Sequence, residues 1–302
     1  MMARKASCLI AVNRAYMKHI KLGIFYGVIS ALSFAVMSVL VKEIGQELPT
    51  SMLVFFRFAI SFILLLPWII TDPHFTLKVI QPFRYFIRIL ASLSALSCIF
   101  YALKFMPLTD ALLLTNTAPL FVPIIVWLLV GAKIPKKASL GVILGFLGVG
   151  IILQPDKAIF SMPALLALAG GFLSGFAIVQ MRLISKTSTV KQMLFYYFLV
   201  STLVTGVIVV LQWQTPATIK IWLMLLGIGI LGTLYQVFAT LSYAAAPVRL
   251  MSPLIFLIVV FGSLFDWLLW GHIPTFITII GALFVIMGVI ITVYFGQKEI
   301  LK

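Results

Sequence analysis

A single arginine, Arg57, stands inside the apolar stretch 52–70. It lies about six residues from one end, so at about 1.5 Å per residue its backbone is roughly 9 Å deep. A charge inside such a stretch is costly and marks a functional candidate by default. Two readings are open: the guanidinium anchors a carboxylate or phosphate in a cavity, or it bonds backbone carbonyls and snorkels outward. Arg88, near one end of the stretch 85–103, snorkels easily, and a structural role is expected there.

Acids are scarce, with seven Asp and Glu in the chain. Asp110 follows Pro107 and precedes an apolar run, which is the place of a helix N-cap. Lys104 stands in the same connection and offers it a partner. Asp266 lies inside the stretch 253–270, about one turn from its end. There it binds a cationic group or carries a coupling proton, or it reaches the interface. Asp110 and Asp266 are the ion-coupling candidates.

Neutral polar side chains form a second set. Gln236, Thr240 and Tyr243 follow helical spacing and make one stripe, with Tyr235 beside it. Ser97 and Tyr101 stand four apart, and Thr115, Asn116 and Thr117 precede Pro119, which frees a carbonyl and can open a helix. These groups line a polar cavity, or they make interhelical hydrogen bonds of roughly 0.6–2 kcal/mol each. The candidate substrate-binding set is Arg57, Tyr101, Asn116, Tyr235, Gln236 and Tyr243. His19, His74 and His272 are scattered, and no HExxH, paired-carboxylate or phosphate-cradling glycine motif is present. No catalytic residue, metal or cofactor is expected. The competing reading, an integral membrane enzyme acting on a lipid-linked group, would need such a cluster.

The elements that position these residues follow from composition. Hydrophobic residues make up 63% of the 302, charged residues 10%, and mean hydropathy is +1.21. Soluble domains run at about 45–50% apolar, so a soluble enzyme, a disordered regulator and a disulfide scaffold are excluded. Ten apolar stretches are legible, at 22–41, 52–70, 85–103, 111–130, 140–153, 164–181, 193–211, 221–244, 253–270 and 276–295. The net charge of +15 does not point to nucleic acid, because the bases are spread in small groups over the connections. Sixteen of them fall in the tails and alternate connections, against four in the intervening ones. That alternation places both termini in the cytoplasm. Cys8 and Cys98 are too far apart in the expected layout to form a disulfide. Met17 stands just before the first stretch as an alternative translation start.

The ten stretches divide into two fives. Trp127-Leu128-Leu129-Val130-Gly131 matches Trp267-Leu268-Leu269-Trp270-Gly271, 140 residues later. Pro107 matches Pro247, Gly141 matches Gly281, and Gly148-Val149 matches Gly288-Val289 at the same offset. Five being odd, the halves run in opposite senses, as in carriers built from inverted repeats. The expected architecture is an all-α integral membrane protein of ten transmembrane helices in two inverted five-helix repeats. Its parts are a cytoplasmic tail 1–21, repeats 22–154 and 163–295, and a cytoplasmic tail 296–302. The glycine pairs Gly141/Gly145 and Gly171/Gly175 suit close helix packing, with a homodimer interface as the other use. Trp68, Trp213, Trp222 and Trp270 read as interfacial anchors.

The chain resembles the drug/metabolite transporter superfamily, and within it the EamA-type carriers. The residues that carry the resemblance are Phe55-Phe56-Arg57-Phe58, Tyr101-Ala102-Leu103-Lys104, Ala118-Pro119-Leu120-Phe121 and Pro253 through Trp267-Leu268, with the glycine-rich runs 141–152 and 281–291. It covers essentially residues 21–295. Those carriers often have an acid after the Trp-Leu-Leu-type run, where this chain has Gly131-Ala132-Lys133 and Gly271-His272. The resemblance implies secondary transport of a small metabolite by alternating access in a bacterial inner membrane. The favoured cargo is an amino acid or a derivative such as S-adenosylmethionine, with proton coupling or exchange as the driving force. It implies a cavity framed by stretches one to four and six to nine.

Overall fold

The computed structural model describes residues 2–73, 75–131, 135–153, 161–245 and 252–300; it describes no side chains for 2–20, 130, 153, 243–244, 252–253 and 296–300. Every regular element among them is helical. In chain order they are α1 (Met2–Ile44), α2 (Thr50–Ile70), α3 (Pro82–Phe105), α4 (Leu108–Thr115), α5 (Ala118–Val130) and α6 (Lys136–Leu153). The second series is α7 (Met162–Ile184), α8 (Val190–Leu211), α9 (Ile219–Ala245), a 3₁₀ segment (Ser252–Phe256), α10 (Leu257–Trp270) and α11 (Phe276–Ile300). Among the described residues eight helical stretches are long and apolar enough to cross a membrane, counting Leu108–Leu129 as one, and Leu254–Trp270 is a shorter apolar helix. Backbone groups satisfied within each helix are what a bilayer core demands. Ile63, Val207, Leu223 and Leu268 are among many large apolar side chains turned outward, as suits a lipid-facing wall.

The contact pattern has an internal two-fold logic. α1 packs along α9 and α3 along α7, which are equivalent pairings if the halves are exchanged. α5 meets α7, and α10 meets α1 in the same way. α2 crosses its own counterpart α8, and α6 crosses its counterpart α11. The 140-residue sequence match reappears as geometry. Gly131 ends α5 at φ 72° with its N–H donating to Trp127 O at 3.0 Å, and Gly271 ends α10 at φ 68° with its N–H donating to Trp267 O at 3.0 Å. Nothing crowds the place of a Cβ at either glycine, so left-handed backbone is what requires them.

The fourth stretch of each half is irregular. The first breaks between α4 and α5 at Asn116-Thr117, just before Pro119, where the sequence expects an opening. The second begins as a 3₁₀ turn before α10. α1 begins at Met2, ahead of the apolar stretch Lys21–Ile44 that is long enough to cross a membrane.

The glycine pairs are used inside the chain. A Cβ on Gly141 would stand 2.7 Å from Gly288 O, and one on Gly148 would stand 2.6 Å from Gly281 O, so the two matched pairs meet reciprocally at the α6–α11 crossing. Gly175 lies against Ala118 O, where a Cβ would come within 2.8 Å. Gly288→Val is expected to push α11 off α6 and destabilise by about 1–3 kcal/mol, whereas Gly150→Ala, with open space at its Cβ, should be neutral. Thermal unfolding in detergent checks this; equal effects from both would contradict the tight crossing.

Candidate functional site

Arg57 sits where α2 crosses α8 and α9, and it is only 3% exposed. Nη1 donates to Ser61 Oγ at 2.6 Å, one turn along the same helix. Nη2 donates to Gly232 O of α9 at 3.0 Å. The side chain runs so close to α9 that a Cβ on Gly232 would fall on it, which explains glycine there. The rings of Phe58 and Phe198 stand 5.5 and 5.7 Å from the guanidinium carbon. Arg57 Nε is buried and has no hydrogen-bond partner. No carboxylate among the described residues pairs with the guanidinium.

The repeat explains this placement. Phe195-Tyr196-Tyr197-Phe198 stands 140 residues after Phe55-Phe56-Arg57-Phe58, and Ser201 stands 140 after Ser61. Arg57 and Tyr197 therefore occupy equivalent positions on two crossing counterparts, next to the axis relating the halves. Tyr197 packs edge-on against Phe58 with centroids 5.2 Å apart. Ser201 is fully buried and its Oγ has no partner, whereas its counterpart Ser61 bonds Arg57 and Thr233. Two unused buried polar atoms, Arg57 Nε and Ser201 Oγ, thus come from equivalent turns. Buried polar groups are normally satisfied, and here one on each of two equivalent turns is not.

Arg88 does not snorkel, contrary to expectation. It is 4% exposed in α3, Nη1 donates to Met193 O at 3.3 Å, and its guanidinium carbon lies 5.5 Å from the Tyr197 ring centre. α8 leans on α3 closely enough to cover it.

Among the candidate residues, Tyr235 lies within electrostatic reach of Arg57. Its ring stacks on Phe34 at 4.7 Å. It also lines a small cleft between α1, α9 and the start of α10, together with Gly27, Ser30, Ser242 and Leu254. Ser30 Oγ donates to Tyr235 O at 3.1 Å and Ser242 Oγ to Gly23 O at 2.7 Å, stitching α1 to α9. Gln236 is half-buried on the same helix. The other residues are placed differently. Tyr101 stacks on Phe105 of its own helix at 4.8 Å. Asn116 Nδ2 donates to Leu112 O at 2.7 Å and closes the broken end of α4. Ser97 and Thr240 likewise bond carbonyls one turn back. The Tyr243 side chain lies outside the described residues.

A second polar cluster closes one end of the bundle. Asp266, 1% exposed, accepts from Lys42 Nζ at 3.1 Å and lies 3.1 Å from His272 Nδ1 through Oδ1. Its Oδ2 accepts from Thr109 N at 3.0 Å and Thr109 Oγ1 at 3.2 Å. Lys42 also lies 4.4 Å above the ring centre of Trp270, so Trp270 serves this cluster and not only an interface. Asp110 is within electrostatic reach of Asp266, Lys42 and His272. It is not the N-cap: Pro107 holds that position, and Asp110 stands in the first turn of α4, where its charge suits the helix dipole. Lys104 does not pair with it, since Lys104 Nζ donates to Leu48 O at 3.0 Å. The cluster joins residues of the first half, Lys42 and Thr109, to Asp266 and His272 of the second. Lys42 and His272 were legible only as connection residues; the 140-residue offset applied to Arg57 and Ser61 would have found Tyr197 and Ser201.

Among the described residues no group of three His, Cys, Asp or Glu could hold a metal ion. A helical membrane bundle built from two equivalent, crossed halves has the form of an inverted-repeat carrier. The profile of the EamA-like transporter family matches residues 21–154 and again 161–294. The chain belongs to that family and is a multi-pass membrane protein. It is 29% identical over 272 residues to the pseudopaline exporter CntI of Pseudomonas aeruginosa (strain UCBPP-PA14), covering 90% of this chain and 95% of that one. It is 25% identical over 281 residues to the S-adenosylmethionine uptake transporter of Rickettsia prowazekii (strain Madrid E), covering 92% and 94%. A solved structure described as "Crystal structure of protein" superposes with a TM-score of 0.64 at 16% identity, covering 91% of this chain and 98% of that one, and it shares the fold.

Proposed function

We propose that the protein is a secondary carrier that moves a small carboxylate-bearing metabolite across a bacterial inner membrane by alternating access. The cargo class is an amino acid or an amino-acid derivative of the S-adenosylmethionine kind, named by the carboxylate that such molecules present. The observation that carries this reading is Arg57, buried beside the axis between the halves, with Nε unused and no carboxylate partner among the described residues. A charge-assisted bond to a substrate carboxylate would satisfy it.

In this reading ten spans, with both termini cytoplasmic, form repeats 22–154 and 163–295, which rock about the axis. Tyr235 and Gln236, with Tyr101, Asn116 and Tyr243, would line the path on either side. The Lys42–Asp266–His272 cluster would be the outer gate, closed here, while the cleft at Ser30 and Tyr235 would open toward the cytoplasm. Asp266 and Asp110 would then be the carboxylates at which a coupling proton acts. The relatives' names support a small-molecule cargo.

The reading is tested by thermal stabilisation of the purified protein with amino acids, S-adenosyl compounds, nucleotides and organic cations. A ligand that binds the folded state alone raises its melting temperature. Carboxylate-bearing compounds are expected to do so, and the gain should vanish in Arg57→Met. Stabilisation by carboxylate-free cations alone, unchanged in Arg57→Met, would overturn it.

A further inference from the structure

We infer that the cargo carries two anionic groups and that Arg88 receives the second. This rests on the carboxylate reading of Arg57 and extends it to an arginine for which the sequence predicts a structural role alone. Arg57 and Arg88 are the two arginines buried within the described bundle, at 3% and 4% exposure. Both guanidiniums lie within electrostatic reach of one side chain, Tyr197. Arg88 stands at 5.5 Å from that ring's centre, and Arg57 is flanked by Phe58 and Phe198, which pack against the same ring.

Aromatic faces attract a cation only weakly, and neither arginine has a carboxylate partner among the described residues. The acids that do form ion pairs are engaged elsewhere: Asp72 with Lys191, Glu43 with Lys220, and Asp266 with Lys42 and His272. Each guanidinium offers five N–H donors. Arg57 uses two of its nitrogens and leaves Nε buried and unpartnered, and the bond from Arg88 to Met193 O is long at 3.3 Å. Two buried cations without a counter-charge are each poorly solvated. A ligand with one anion would balance half of that charge. A ligand with two anionic groups, set apart so as to straddle Tyr197, would balance all of it, and Ser201 Oγ beside the patch would supply a further hydrogen bond. The shared chemistry is two anionic ends joined by a spacer; for an amino-acid derivative, a second carboxylate.

The test uses full-length protein in detergent. Straight-chain α,ω-dicarboxylates of graded length are compared with their monoamides in the wild type, Arg88→Met and Arg88→Lys. The wild type is expected to bind the best dicarboxylate about tenfold or more tightly than its monoamide. Arg88→Met should erase that ratio while raising the melting temperature of the ligand-free protein, because it removes an unbalanced buried charge. Arg88→Lys should restore part of the ratio. A strut would behave oppositely: a lower melting temperature in Arg88→Met with an unchanged ratio overturns the proposal. Equal wild-type binding of dicarboxylates and monoamides overturns it too, leaving the Arg57 reading intact. Failure of every carboxylate to bind overturns both.

Discussion

Asp266→Ala is expected to destabilise the folded bundle by about 3–5 kcal/mol. The carboxylate is almost fully buried and accepts from Lys42 and from both the backbone N–H and the hydroxyl of Thr109. Removing it leaves the Lys42 ammonium, whose side chain is only 12% exposed, without its counter-charge beside Trp270, and orphans an N–H in the first turn of α4. Asp266→Asn should lose less, because an amide oxygen still accepts from Thr109 while the charge pairing is gone. The double variant Lys42→Met/Asp266→Leu should recover much of the loss, since replacing both members of a buried pair by apolar groups removes two desolvation costs at once. Thermal unfolding in detergent reads all three. If the double variant is as unstable as Asp266→Ala alone, the cluster is not an ion-pair latch, and Asp266 acts through the Thr109 bonds only.

Arg57→Met should weaken substrate binding about 10- to 100-fold, the worth of one hydrogen-bonded charge pair at roughly 1.5–3 kcal/mol. Stability should change little in comparison, because methionine fills the space beside Phe58 and Phe198 and the lost bonds to Ser61 and Gly232 are offset by removal of a buried charge. Arg57→Lys should not rescue binding. A lysine ammonium lacks the planar fork that lets one nitrogen hold Gly232 O while another faces the ligand. Isothermal titration with the ligand found by the stabilisation screen measures this. Wild-type affinity in Arg57→Met would make the arginine a strut between α2 and α9.

The helices were legible because apolar runs of bilayer length have few alternatives, and the repeat was legible wherever backbone geometry forces the residue. Gly131 and Gly271 match because both close a helix at positive φ, and Gly141, Gly148, Gly281 and Gly288 match because two helices cross at van der Waals distance. The polar residues were harder to place. Asn116, Ser97 and Thr240 turn back to carbonyls of their own helices, a use open to any Asn, Ser or Thr in a helix. A polar stripe on a span therefore overstates the cavity it borders. Lys42 and Asp266 are 224 positions apart, so their union is a property of the packed halves that no local pattern announces. Arg88 was misplaced because depth along a helix does not reveal whether a neighbouring helix covers the side chain, as α8 does here.

Net flux into proteoliposomes tests the carrier reading most directly. Purified protein is reconstituted, loaded with the carboxylate ligand on one side, and the contents are followed by mass spectrometry. The account predicts that the ligand crosses chemically unchanged, saturably and only with protein present, and that Arg57→Met abolishes the flux while remaining folded. Folded protein that converts the ligand into a new species, or that leaves it on the side where it started, would contradict it.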